Sequence, residues 1–200
     1  MKSPPELILA STSSYRRALL ERVCATFRCV PPGIDERPHE GESAWMLVTR
    51  LALAKARAVA ALNPDAWVIG SDQAAVLLDA FQQQRVLGKP GNVADCIEQL
   101  RSSSGKTVSF LTGVAVVRGS SGTEMEFVDT TRVTFRTLDE STIERYVARE
   151  SPLDCAGGFK SEGLGIALCA SIDSDDPSAL IGLPLIQLCT VLRRAGFDIP

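Results

Sequence analysis

Histidine is nearly missing from this chain: His39 is the one example in 200 residues. A Ser-His-Asp or Cys-His nucleophile system, or a multi-histidine metal site, must pass through it or is excluded. His39 itself falls in a charged stretch between Arg37 and Glu40, which reads as a solvated loop. Aromatic side chains are also scarce, with two tryptophans and two tyrosines, too few for a base-stacking platform on a nucleic acid strand. Charge of one sign is not in excess: 21 Lys and Arg against 24 Asp and Glu leave a net charge of -3. That balance argues against a general electrostatic grip on nucleic acid or an anionic membrane. No apolar run approaches the ~18 residues that span a bilayer. The opening Met1-Lys2-Ser3-Pro4-Pro5 leads into a strand-like run with no signal-peptide core.

Familiar motifs fail on inspection. Ser104-Gly105-Lys106-Thr107 ends like a phosphate-binding loop, but Leu100 stands where its first glycine belongs, and strand-like sequence follows. Gly163-Leu164-Gly165 lacks the third glycine of a dinucleotide fingerprint, Leu168 standing there, and no G-x-S-x-G occurs. The six cysteines show no C-x-x-C and no zinc-like pairing. Stretches such as Leu168-Cys169-Ala170 and Leu188-Cys189 make them read as small buried hydrophobes in a reducing cytoplasm.

What is present is a globular composition, 45% apolar and 22% charged. A chain of this length hides roughly 70% of the surface that its unfolded form exposes. Strand-like and helix-like segments alternate. Leu7 to Ala10 read as a buried strand, Tyr15 to Val23 as a helix, and Phe27 to Val30 as a second strand. Ser43 is placed to cap a long helix from Ala44 to Leu62. Trp67 to Gly70 read as a strand that ends at Ser71-Asp72-Gln73, with Ala74 to Leu78 extended beyond. Asn92 and Asp139 are placed to cap helices running to Leu100 and over Glu140 to Arg149. Thr107 to Val117 and Met125 to Thr137 read as a long antiparallel pair around Gly119-Ser120-Ser121-Gly122, a region suited to a second lobe. Pro184 to Ala195 form the last helix. The pattern is α/β with a mixed sheet.

Four groupings could carry chemistry. Ser11-Thr12-Ser13-Ser14-Tyr15-Arg16-Arg17 joins a strand end to a helix start, where amides, hydroxyls and planar guanidinium groups suit a phosphate. An ordinary cap with solvated arginines fits the same spacing. Asp72 stands at an apolar strand end, where an α/β sheet usually holds its ligand; it suits a metal ligand, a proton acceptor or a plain turn. Lys89, in the rigid turn Gly88-Lys89-Pro90, suits phosphate or solvent. Asp35 and Glu36 follow a Pro-Pro-Gly break and offer metal-ligand oxygens or a solvated loop. Lys55 lies four residues after Leu51 in the long helix and can snorkel from its apolar face. Jointly these are the parts for metal-assisted hydrolysis of a phosphoanhydride.

The ordered set of segments resembles the Maf family of nucleoside triphosphate pyrophosphatases, from Leu7 to about Arg194. The resemblance rests on Leu7 to Ser13 with Arg16-Arg17, Ile34-Asp35-Glu36, Leu53-Ala54-Lys55-Ala56, Ile69-Gly70-Ser71-Asp72, Gly88-Lys89-Pro90, Thr112-Gly113-Val114, Tyr146-Val147, Ala156-Gly157 and Gly182-Leu183-Pro184-Leu185. It implies a Maf/ITPase-like α/β fold: one domain over residues 1–200, a mixed central sheet with flanking helices, and two lobes around a cleft. It implies Asp72 as proton acceptor for the attacking water. Ser11, Arg16, Lys55 and Lys89 would bind phosphate, and Glu36 with Asp72 would hold a divalent cation, Mg²⁺ or Mn²⁺. The partner implied is a small nucleoside triphosphate rather than a nucleic acid polymer or a membrane, and homodimers are common in such families.

The likeness extends to a branch. Gly70 to Gln73 and Gly158 to Gly163 are similar to the YceF-type branch, whose preferred substrate is 7-methyl-GTP. The dTTP/UTP branch typically carries threonine at the position of Gln73, glutamine at that of Glu162 and arginine at that of Tyr15. Tyr15 departs mildly from the tryptophan often seen in the YceF branch, and Ser14 replaces a common proline. An N7-methylated guanine is cationic, so an aromatic face and a carboxylate would favour it over neutral bases. Tyr15, Gln73 and Glu162 are thus the expected specificity residues. A dTTP/UTP or broader pyrophosphatase, and a nucleotide-sensing regulator of septum formation, are the alternatives.

Overall fold

The computed structural model describes residues 5–78 and 83–200. The first four residues of the opening segment lie outside that range. In chain order the elements are β1 Leu7–Leu9, α1 Ser14–Glu21, β2 Arg28–Cys29, α2 Ala44–Ala60, β3 Trp67–Leu78, β4 Gln84–Leu87, α3 Val93–Ser103, β5 Thr107–Arg118, β6 Thr123–Phe135, α4 Glu140–Glu150, β7 Cys169–Asp173 and α5 Leu185–Arg194. Helix starts follow local chemistry. Ser43, Asn92 and Asp139 each accept a hydrogen bond from a first-turn amide of α2, α3 and α4, as their sequence positions require.

Hydrogen-bonded strands run in the order β2-β1-β3-β5-β6-β7, with β4 paired to β3. β1 is parallel to both β2 and β3, while β4 on β3 and β7 on β6 are antiparallel. The four-residue link from β5 to β6 is too short for a parallel crossover. The sheet is therefore mixed, as the sequence pattern implies.

The chain divides into two compact units, Met1–Asp72 with Thr112–Asp129 and Asp176–Pro200, and Gln73–Leu111 with Thr130–Asp175. In the first unit, strand alternation sends Leu7, Leu9 and Ile69 into one cluster with Leu19, Leu20, Leu188 and Leu192. Ile8, Ala10 and Val68 enter another with Ala52, Ala56 and Val59 of α2. Both faces of these strands are buried, which explains their unbroken apolar runs. In the second unit the Phe159 ring lies 5.7 Å from that of Phe110 and meets Phe135 edge-on at 5.1 Å. The backbone N–H of Gly157 donates to the Gly88 carbonyl at 3.1 Å.

Several sequence expectations are corrected. β3 does not end at Ser71-Asp72-Gln73 but runs unbroken to Leu78, because Ala74 to Leu77 are buried and hydrogen-bonded in the sheet. Asp72 is thus inside a strand. The β5–β6 tip lies in the first unit, since strands of 12 and 13 residues are long enough to serve both units. β4 and β7 carry mostly exposed side chains and no clear alternation, and pairing rather than local pattern forms them. Cys24, Cys96 and Cys169 are buried, but Cys29 is exposed and Cys155 and Cys189 are half-buried.

Candidate active site

α2 presents Ala52, Lys55, Ala56 and Val59 to the sheet, at the spacing of one helical face. Its approach is set by glycine. A Cβ on Gly70 would stand 2.1 Å from the Ala52 carbonyl oxygen, and one on Gly113 would stand 2.6 Å from that of Val48. With no side chain between helix and strand, Lys55 reaches the next residue on the same face of β3, two beyond Gly70, which is Asp72. Lys55 Nζ donates to Asp72 Oδ1 at 2.6 Å and lies 3.1 Å from Glu36 Oε1. Lys55 is 4% exposed and Asp72 8%. The snorkelling expectation is overturned: the ammonium is drawn inward because two carboxylates compensate its lost hydration.

The acidic loop resolves into two roles. Asp35 is clamped by Arg37, with Nε and Nη2 at 2.9 and 2.6 Å from Oδ2, and that guanidinium holds the Asp35 carboxyl below its usual range. Glu36 turns to Lys55 instead.

The helix start supplies a second cation. Ser13 is the cap of α1 and accepts from the Arg16 N–H at 3.3 Å; Ser11 Oγ accepts from the Ser13 N–H at 3.1 Å. Arg16 Nε donates to the Gly182 carbonyl at 2.9 Å, and Ser71 Oγ donates to the same oxygen at 3.0 Å. Protein crowding lowers the Arg16 pKa from its ordinary value, while the charges of Asp72 and Glu36 work against that shift. Those two carboxylates therefore act on Arg16 as well as on Lys55. Arg17 is different: it is exposed and pairs with Glu21 at 2.9 Å, one turn along the helix.

Ser11, Arg16, Glu36, Lys55 and Asp72 thus belong to one unit, and Lys55 touches both carboxylates. Tyr15, half-buried in the first turn of α1, is in the same unit. Gln73 follows Asp72 in β3 and points to the opposite face by strand alternation. Lys89 and Glu162 are exposed residues of the second unit. Glu162 sits in a loop that α4 secures: Glu150 accepts from the Leu164 N–H at 2.6 Å and from Lys160 Nζ at 2.9 Å, and Tyr146 accepts from the Lys160 N–H at 3.0 Å. Gly182 lies in a segment that the resemblance singles out, but the partners of its carbonyl are not legible in the sequence, since they lie 166 and 111 residues away.

Chemically the cluster offers an acceptor for a proton, two cations for anionic oxygens, and two carboxylates converging on one point. Among the described residues no three His, Cys, Asp or Glu side chains gather as a metal nest. Two hard oxygen donors do fit Mg²⁺ or Mn²⁺, ions that take their remaining ligands from water and phosphate oxygens. Among the described residues no helix is long and apolar enough to cross a membrane.

A family described as Maf-like protein matches residues 6–195. A 7-methyl-GTP pyrophosphatase of Alkalilimnicola ehrlichii is 55% identical over 199 residues, covering 100% of this chain and 98% of that protein. A protein of the same name from Polaromonas sp. is 53% identical, over 95% of this chain and 84% of its own. Among solved structures, the Staphylococcus aureus Ham1 protein aligns with a TM-score of 0.47 at 17% identity, over 66% of this chain and 72% of that one.

Proposed function

The chain belongs to the Maf family, and on that footing we propose that it is a nucleoside triphosphate pyrophosphatase that hydrolyses 7-methyl-GTP to 7-methyl-GMP and pyrophosphate. The observation that carries the reading is the buried Lys55 ammonium held against Asp72 and Glu36, with the Arg16 guanidinium fixed on the Gly182 carbonyl beside Ser71. Such a group suits a polyanion whose bond to a leaving pyrophosphate is cut by water.

Water attacks the α-phosphorus, and the bond from that atom to the oxygen bridging to the β-phosphate breaks. Asp72 takes the proton of the attacking water. Lys55 occupies its Oδ1, which leaves Oδ2 as the acceptor and fixes the orientation of the carboxylate. Arg16 and Lys55 oppose the negative charge that moves toward pyrophosphate, and Ser11 donates to a phosphate oxygen from the helix start. Arg16 spends Nε on Gly182, which leaves its two terminal NH₂ groups to form a fork on phosphate. Lys89 joins the phosphate contacts by its likeness to the family pattern. Glu36 and Asp72 would hold Mg²⁺ or Mn²⁺, which when bound polarises phosphoryl oxygens and shields their charge.

Base choice is assigned to Tyr15, Gln73 and Glu162 on the likeness to the YceF-type branch. A ring face and a carboxylate favour a cationic methylated guanine, and the lack of an arginine at position 15 removes a repulsive charge. The reading includes a cytoplasmic location, and its partner is a nucleotide rather than nucleic acid or membrane. It is tested with a panel of 7-methyl-GTP, GTP, dTTP, UTP and CTP, with and without Mg²⁺, followed by pyrophosphate detection. The expected result is metal-dependent release that is fastest from 7-methyl-GTP. Release from none of the five overturns it.

A further inference from the structure

Asp176 is 4% exposed, and burying a carboxylate is costly unless donors surround it. Here they do. Oδ1 accepts from the N–H of Ser178 at 2.9 Å and from its hydroxyl at 2.5 Å, and Oδ2 accepts from the Ile186 N–H at 2.7 Å. Ser178 Oγ in turn accepts from the Leu185 N–H at 2.8 Å. These two amides open α5, whose own cap position is Pro184 and supplies no side-chain acceptor. The helix start is therefore capped from seven and ten residues upstream, and a carboxylate is the charge its dipole favours. The effect on the chain is to close residues 176–186 into a ring.

Gly182 lies on that ring. Its N–H donates to the Ala179 carbonyl at 2.9 Å, and the Ala179 carbonyl also accepts from Thr112 Oγ1 at 3.0 Å. At φ +121 its backbone suits glycine, and a Cβ there would meet Arg16 Nε at 3.4 Å. Its carbonyl receives both Arg16 Nε and Ser71 Oγ, the latter from the residue beside Asp72.

We propose that Asp176 and Ser178 are positioning residues for Arg16: they shape the ring that aims the Gly182 carbonyl, and that carbonyl aims the guanidinium. The inference rests on the assignment of Arg16 to phosphate given above. Misplacing a substrate-orienting group by about 1 Å costs on the order of 100-fold in rate.

The test is a double-mutant cycle on kcat/KM for 7-methyl-GTP, using Ser178→Ala, Arg16→Ala and the pair in full-length protein, with thermal melts as a folding control. Ser178→Ala should lower kcat/KM about 10- to 100-fold in the parent and by less than about twofold in the Arg16→Ala background. Ser178→Thr, which keeps the hydroxyl, should recover most of the loss. Asp176→Asn carries the same cycle if Ser178→Ala does not fold, because it turns one acceptor into an NH₂ facing an N–H. Equal losses in the two backgrounds, or parental kcat/KM in Ser178→Ala, overturn the proposal. Parental kcat/KM in Arg16→Ala alone overturns the Arg16 assignment itself, and the proposal with it.

Discussion

Lys55 Nζ stands 2.6 Å from Asp72 Oδ1, with both side chains nearly buried, and Gly70 is what lets the helix of one approach the strand of the other. A lysine and an aspartate 17 residues apart thereby become one charged unit. Removing half of such a unit differs from neutralising its other half.

Lys55→Met leaves Asp72 in the core without its cation. Breaking a buried pair from one side costs about 3–5 kcal/mol, so chemical denaturation should show a loss of that order together with loss of turnover. Asp72→Asn keeps an oxygen for Lys55 to donate to but takes no proton. It should melt close to the parent while pyrophosphate release falls to background, and retained release would move the proton acceptor elsewhere.

Gly70→Ala puts a methyl group where the Ala52 carbonyl oxygen already is, 2.1 Å away. Neither backbone can yield without shifting α2. A cost of about 1–3 kcal/mol in urea unfolding is expected, the range for overpacked cores. Activity should drop beyond what stability explains, since the same shift draws Lys55 from Asp72.

The loop that bears Glu36 is tied to α2 by Arg50, whose Nε and Nη2 reach Glu42 Oε1 and Oε2 at 2.6 and 2.7 Å and whose Nη2 also donates to the Arg37 carbonyl at 3.1 Å. The Arg50 hydrogen bonds hold the Glu42 carboxyl at about 2, against an ordinary 4.5. Because the folded value is the lower one, this bond stabilises the fold fully above about pH 4.5 and ceases to do so as pH falls through about 2. Urea midpoints measured from pH 6 downward should therefore decline less steeply in Glu42→Gln than in the parent. Parallel declines would show that Glu42 does not contribute to acid sensitivity.

Glu162→Gln removes a negative charge and little else from an exposed loop position. The ratio of kcat/KM for 7-methyl-GTP over GTP should fall by about five- to tenfold, in keeping with loss of a charge-assisted contact. Tyr15→Arg should lower the same ratio by repulsion. An unchanged ratio in Glu162→Gln removes the carboxylate from base recognition.

Much of the fold was legible because its signals are local. Ser43, Asn92 and Asp139 cap the helices they precede, and buried strands such as Leu7–Leu9 declare themselves as apolar runs. β4 and β7 were not legible, since exposed residues at a sheet edge need only a partner strand. The true length of β3 was hidden because Ser71-Asp72-Gln73 reads as a turn when the burial around it is unknown.

With histidine reduced to His39 and the net charge at -3, composition points any chemistry here to carboxylates, lysine and arginine, and the order of the motifs along the chain nominates the candidates among them. It left open whether Lys55 faces water, which of Asp35 and Glu36 turns to it, and what orients Arg16. Tertiary structure alone decided these. Whether an ionic side chain is buried or solvated depends on which opposite charges and carbonyl groups the fold brings to it. Asp72 and Gly182 come from segments that meet Lys55 and Arg16 through packing, not through neighbouring positions in the chain.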